Sequence, residues 1–288
     1  MDRSITVRYF KIEAVGRRAP TLVQAIDAAL ELGESPHQRE RDVGVGATIR
    51  LERRLRRRGL VLGEVVRVQR ENIPPEVRDA GLVPLAVGGL GHSVGFAFDE
   101  QSSIMAIQFD PRGVSLGRFL DYLTHALAGA RFRYDAILNE DAWERYNEGA
   151  PRSLKVSLAA PQNLAPIEGP AGDVLAASRR LAEISHAPVI TVEVSVGRRQ
   201  ENLAKRFVDS VIRALTAEDA ADNVRKLTVK TKEEGEPSDT IDFLNDLSRD
   251  QEVLDLPSND HEENIRRRLR FIERSFSERL PGMRELYG

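Results

Sequence analysis

Cysteine is missing from all 288 residues. Its absence excludes disulfides, thiolate metal sites, iron–sulfur clusters and cysteine nucleophiles, and it suits a reducing compartment. Tryptophan occurs once and aromatic residues make up only 6% of the chain, so single-strand recognition by base stacking is poorly supplied. The five histidines (37, 92, 125, 186, 261) are scattered, with no His-x-x-x-His or Glu-x-x-His pair, which leaves a metal site without a motif. Long hydrophobic runs are absent. The longest nearly uncharged stretch, residues 81–98, holds five glycines, a proline and a histidine and does not read as a membrane span. The N-terminus, Met1-Asp2-Arg3-Ser4-Ile5-Thr6-Val7, shows no secretory signal. Neither a serine nucleophile elbow nor a Walker glycine loop is found. A nuclease would need carboxylates and a lysine around a divalent metal, and Glu193-Val194-Ser195 lacks the lysine two residues on. The expectation is a soluble cytoplasmic protein with no cofactor, no metal and no assigned catalytic residue.

What the chain does have is charge, unevenly sorted. The net charge is only −3, yet residues 47–70 carry eight arginines against two glutamates. Residues 233–263 carry twelve acidic residues against one arginine. Such sorting implies distinct positive and negative faces, and a positive face is the natural place to seek a polyanion partner. The acidic stretch has three readings: a nucleic-acid mimic, a cover for the basic surface, or simple neutralisation of its neighbours, which is preferred.

Length favours two domains. Period-2 alternation predicts a strand over 4–13, and helical spacing predicts a helix over 21–32. Two hairpins follow, 45–54 with 60–70 and 92–98 with 103–109. An amphipathic helix over 116–127 and a strand over 131–138 come next. Residues 147–151 read as a linker, giving domains 1–150 and 151–288. Beyond it, strands over 153–159, 188–196 and 227–232 alternate with helices over 173–184 and 202–215. This β-α-β-α-β order predicts an α+β fold or a split βαβ domain. Asn259 with Glu262 resembles a capping box opening a terminal helix to about Leu280. In that helix Ile265, Leu269, Ile272, Phe276 and Leu280 form a narrow seam, fit to dock on its own domain or to pair with a second copy.

Three basic groups are candidate phosphate ligands. On the first hairpin, strict alternation would put Arg50, Arg54 and Arg56 on one face, extended by Arg57 and Arg58 in the turn. Five or six such contacts would give sequence-independent affinity by counterion release; a solvated edge hairpin is the competing reading. The second group is Arg198, Arg199, Lys205 and Arg206 at a strand-to-helix junction, with Lys226, Lys230 and Lys232 on one face of the following strand. The third, Arg266-Arg267-Arg268-Leu269-Arg270, flanks the helix seam and reads as solvated or paired to the nearby acidic segment in preference to DNA. The loop Gly88-Gly89-Leu90-Gly91 before His92 could cradle a phosphate, but known cradles lead into helices and this one leads into a strand; a tight turn is preferred.

Several stretches carry a family likeness. Ser93-Val94-Gly95-Phe96-Ala97 precedes a strand and a Leu/Phe-rich helix, and Ser153-Leu154-Lys155-Val156 follows. A basic stretch comes after Val194-Ser195-Val196, then Leu227-Thr228-Val229-Lys230-Thr231-Lys232-Glu233-Glu234-Gly235 and an arginine-rich terminal helix. Over most of residues 90–275 this resembles the RexA family of phage exclusion proteins and related bacterial anti-phage proteins. The resemblance implies a homodimer that binds double-stranded DNA largely without sequence preference and excludes competing phages, with a membrane-protein partner. It places basic residues at 198–206 and 226–232, whereas the Arg56–Arg58 cluster departs from the family pattern. The alternative is a non-enzymatic scaffold assembled through charged faces and the terminal helix.

Overall fold

In the first strand, β1 (Asp2–Ala14), Ile5, Val7 and Tyr9 face one side and Phe10 and Ile12 the other, and all five are buried. A strand that buries both faces must be covered on both, and this organises the first half of the protein. The computed structural model describes residues 2–287 except 17, 45, 46, 80, 164–168, 198, 200, 217–222, 233–237 and 245. The described chain is α+β and divides into two compact units, Met1–Arg133 with Arg249–Gly288, and Tyr134–Ser248. The division is therefore discontinuous, rather than a single cut near residue 150.

In the first unit β1 is followed by α1 (Leu22–Glu31), β2 (Arg41–Asp42), β3 (Thr48–Arg57) and β4 (Leu60–Gln69). After a small hairpin of β5 (Glu76–Arg78) and β6 (Gly81–Val83) come β7 (Leu90–Asp99), β8 (Ile104–Phe109) and α2 (Leu116–Ala126). β9 (Phe132–Ala136) carries the chain across the boundary. The chain returns with β14 (Arg249–Asp255) and the long helix α6 (His261–Tyr287). The strands join in the order β14-β1-β8-β7-β4-β3-β2, each neighbour antiparallel.

α1 opens with a reciprocal capping box, Thr21 accepting from the Gln24 amide and Gln24 from the Thr21 amide. α2 packs on the same side of the sheet as α1, its Phe119 ring 5.0 Å from that of Phe96. The terminal helix covers the other face. Its seam residues Ile265, Leu269, Ile272, Phe276 and Leu280 are buried against the sheet of their own unit. Gly95 makes the close approach possible: a Cβ there would sit 2.8 Å from Ile272 and 3.0 Å from Leu269. Two expectations need correcting. The cap is Asp260, whose Oδ1 accepts from the Glu263 amide, not Asn259. The helix also runs through Pro281 to Tyr287 rather than stopping near 280.

The second unit contains α3 (Glu140–Glu148), β10 (Ala150–Ala159), α4 (Pro170–Ser185), β11 (Val189–Ser195) and α5 (Lys205–Thr216). β12 (Val224–Lys232) and β13 (Asp239–Asp242) complete it. The sheet order is β11-β10-β12-β13, all antiparallel. Strands β11 and β12 both run against β10, so they are parallel to each other and joined by α5, a split β-α-β. Leu154, Val156, Leu158, Leu227, Val229 and Ile241 point to the helical side, where Val208, Val211 and Leu215 of α5 meet them. The expected linker at 147–151 is the end of α3 and the start of β10. Gly149 closes the helix, its amide bonding the Arg145 carbonyl, with Thr231 2.5 Å from where a Cβ would lie.

Candidate nucleic-acid interface

The arginine hairpin does not present one face. A bulge between Leu51 and Arg53 shifts the register, so that Arg50 lies opposite Val66 and Arg54 opposite Gly63. Val66 and Gly63 are three apart on β4, and their partners therefore project to opposite faces. At the turn, Arg58 and Gly59 both take positive φ, 51° and 81°, as a two-residue hairpin turn demands.

Every arginine of the hairpin candidates has a carboxylate. Arg50 pairs with Glu40 at 3.1 Å and Glu52 at 2.5 Å, and Arg54 with Asp27 of α1 at 2.5 Å. Arg56 lies 3.5 Å from Glu100, while Arg57 and Arg58 lie 3.2 and 3.7 Å from Glu273 of α6. Arg53 bridges Glu64 of β4 at 2.8 Å and Glu262 of α6 at 2.6 Å, and this pairing raises its pKa well above the usual arginine value. Glu64 and Glu273 are buried, at 0% and 5% exposure. Removing the partner of a buried charge costs about 3–5 kcal/mol. Here positive charge stitches the hairpin to both helical layers.

Arg266, Arg267, Arg274 and Arg279 of the terminal helix behave the same way, whereas Arg268 and Arg270 have no ion pair among the described residues. Arg266 and Arg267 pair with Glu263, and Arg267 also with Asp255. Arg274 pairs with Glu252, and Arg279 with Asp250 at 2.6 Å. Asp250, Glu252, Asp255 and Glu263 of the acidic stretch thus neutralise these arginines. Burial opposes ionisation of Asp250, but hydrogen bonds from Arg279, Ser275 and Tyr9 outweigh it and hold the carboxyl below its ordinary pKa.

In the second unit the outcome reverses. Arg198 lies outside the described residues. Arg199 stands in the loop after β11, with its carbonyl accepting from Arg152. Lys205 begins α5, donating to Asn147 at 3.0 Å with its ammonium 4.9 Å from the centre of the Tyr146 ring. Arg206 follows it. On the sheet, Lys230 is opposite Ser153 and Lys226 opposite Ser157. Their face is the one away from α5, because the intervening Leu227 and Val229 pack against the helices. Lys205 and Arg206 at the start of α5 and the lysines of β12 therefore leave the sheet on different sides. Lys226, Lys230 and Lys232 are exposed, and none has a carboxylate within 4.0 Å among the described residues. Neighbouring positions on this face are small and polar: Ser153, Ser157, Thr191, Ser195, Thr228 and Thr240. Two acids share it. Glu193 meets Lys155 at 4.0 Å, and Asp242 accepts from the Leu244 amide in a turn.

Among the described residues no group of three His, Asp or Glu side chains could hold a metal, and no helix is long and apolar enough to cross a membrane. The glycine loop before His92 leads into β7, as expected, with Gly89 at φ +153°, where a Cβ would sit 3.1 Å from the Gln69 carbonyl oxygen. Compared with protein-family models and with curated proteins, the sequence matches none.

Proposed function

We propose that the protein binds double-stranded DNA largely without sequence preference, through the lysine row of β12. The setting that the family resemblance implies is phage exclusion or anti-phage defence. The single observation behind this reading is that Lys226, Lys230 and Lys232 are exposed and have no carboxylate partner among the described residues, whereas the arginines of the first hairpin are spent on ion pairs. From 226 to 232 the row is about 20 Å long at ~3.3 Å per residue. That matches about six base-pair steps of duplex at ~3.4 Å each. The exposed hydroxyls of Thr191, Ser195 and Thr240 on the same face add neutral donors for phosphate oxygens and carry no base readout. The helix-free sheet face holds no aromatic residue on β10 or β12, which favours backbone contacts over stacking.

The test is fluorescence anisotropy of a labelled random-sequence duplex with the full chain across a salt series. Binding should weaken with salt, and the slope should fall by about 1 for each lysine changed to glutamine. Absence of binding at low salt would remove DNA as the ligand and leave the scaffold reading.

A further inference from the structure

A second polar site lies in the first unit, remote in chemistry from the lysine row and independent of the DNA reading. A cavity of about 570 Å³ opens between the start of β1, the first residues of β7, the end of β8 and the first turns of α6. That volume falls in the range of small-molecule sites, ~300–1,000 Å³. Its wall contains Arg268, only 6% exposed. Isolated charges are not buried cheaply, and a buried guanidinium ordinarily meets a carboxylate. Arg268 does not. It donates to Asn264 Oδ1 at 2.9 Å, to the Ser93 carbonyl at 2.8 Å, to Gln108 Oε1 at 3.1 Å and to Ser93 Oγ at 3.1 Å. All four acceptors are neutral, and no ion pair to Arg268 occurs among the described residues.

The nearest buried carboxylate, Glu64, is reached only through Ser93, whose hydroxyl donates to it. Glu64 is already matched by Arg53 at 2.8 Å and His261 at 2.9 Å. The cavity wall adds Arg3 and Arg112, both exposed, against one acid, Asp110, which lies 3.6 Å from Arg112. Three guanidiniums against one carboxylate leave a formal surplus of two positive charges. A phosphomonoester carries about −1.5 to −2 at neutral pH; the exposed forks of Arg3 and Arg112 match phosphate oxygens in geometry, and Arg268 keeps one Nη2 hydrogen beyond its four bonds. A monocarboxylate would leave the surplus half neutralised. His92, beside the entrance, donates or accepts with Gln69 at 2.8 Å.

From this cavity we infer that the protein binds a small phosphate-bearing molecule, held by Arg268 in the wall and by Arg3 and Arg112 at the rim.

Isothermal titration calorimetry of the full-length chain in chloride buffer tests this, with inorganic phosphate and AMP as separate probes. The expected result is one site per chain for at least one probe, free phosphate and a phosphorylated small molecule being told apart by which of them binds. Arg3→Gln and Arg112→Gln change exposed side chains, so the fold should persist. Each should weaken binding by about 10-fold, while Lys226→Gln with Lys230→Gln should leave it unchanged. Arg268→Gln should abolish it, but its loss counts only with an unchanged circular dichroism spectrum. No heat from either probe at millimolar concentration would overturn the assignment and make Arg268 a structural clamp of α6. Undiminished binding in both rim variants, or displacement of the bound probe by duplex DNA, would overturn it as well.

Discussion

In the first unit Arg53, Arg54 and Arg57 sit on one strand and reach carboxylates on β4, α1 and α6. In the second unit Lys226, Lys230 and Lys232 also sit on one strand, and none reaches a carboxylate among the described residues. The two regions differ in what lies above the strand. The first sheet is sandwiched between helical layers, so its charges must be matched where they enter a low-dielectric interior. The second sheet has its helices on one side, and the lysines leave the other into solvent, where an ammonium needs no fixed partner. Residue type follows the same division: arginine's planar fork suits fixed, partly buried pairs, and lysine's flexible stem suits an adaptable surface. Density of positive charge in a sequence is thus a poor guide to binding unless the destination of each charge is known.

The sharpest way to break this comparison is through stability. Arg53→Ala leaves Glu64 without its arginine and should destabilise the first unit by about 3 kcal/mol, read by thermal denaturation. A loss below ~0.5 kcal/mol, typical of a surface position, would show that the hairpin charges are solvated after all. Comparable in size is Ile272→Ala, expected to cost about 2–5 kcal/mol because Ile272 is fully buried under Gly95. If the seam instead joined two copies, the same change would dissociate an oligomer in sedimentation experiments and spare the monomer's melting temperature.

A smaller effect is set by pH. Asp250 and Asp99 both have folded pKa values below the ordinary carboxylate range: burial opposes their ionisation, and arginine and hydroxyl donors more than offset it. A depressed folded pKa gives stability that is present above the unfolded value, near ~3.9, and is lost as pH falls through the folded value. Acid titration of the unfolding free energy should therefore fall below about pH 4. Asp250→Asn should be less stable at neutral pH and show a shallower acid decline. Equal declines in both proteins would contradict the assignment. Smallest of all, Lys226→Gln, Lys230→Gln and Lys232→Gln together should shift stability by no more than about 0.5 kcal/mol, since these exposed side chains pair with no carboxylate among the described residues.

Much of the architecture was legible in the residues. The alternation in β1, the stripe of α2 and the seam of α6 each mark a buried face, because hydrophobic periodicity records burial directly. The split β-α-β of the second unit follows from the order of its elements. Other features had no local signal. The bulge at Glu52 is stabilised from far away, by the Tyr122 hydroxyl bonding the Leu51 amide at 3.2 Å, and it undid the expected arginine face. Helix α3 is mostly polar, with only Ala142 and Tyr146 buried, so its pattern is too weak to read. The pairing of β14 with β1 joins residues about 250 positions apart, which no spacing rule anticipates. Arg268 looked like one of four similar arginines; only packing shows that it alone is buried. The lysine face, by contrast, was visible as alternation around Thr228, although its separation by the sheet from Lys205 and Arg206 on α5 was not.

The central claim, that unpaired lysines bind and paired arginines build, is met most directly by one side-by-side measurement. Duplex affinity would be followed across a salt series for the unaltered chain, for Lys226→Gln/Lys230→Gln/Lys232→Gln and for Arg56→Gln/Arg57→Gln/Arg58→Gln. The expected result is a salt slope reduced by about 3 in the lysine variant and unchanged in the arginine variant, with only the latter losing thermal stability. A slope that falls in the arginine variant and holds in the lysine variant would contradict the account and return the hairpin to the role of the binding surface.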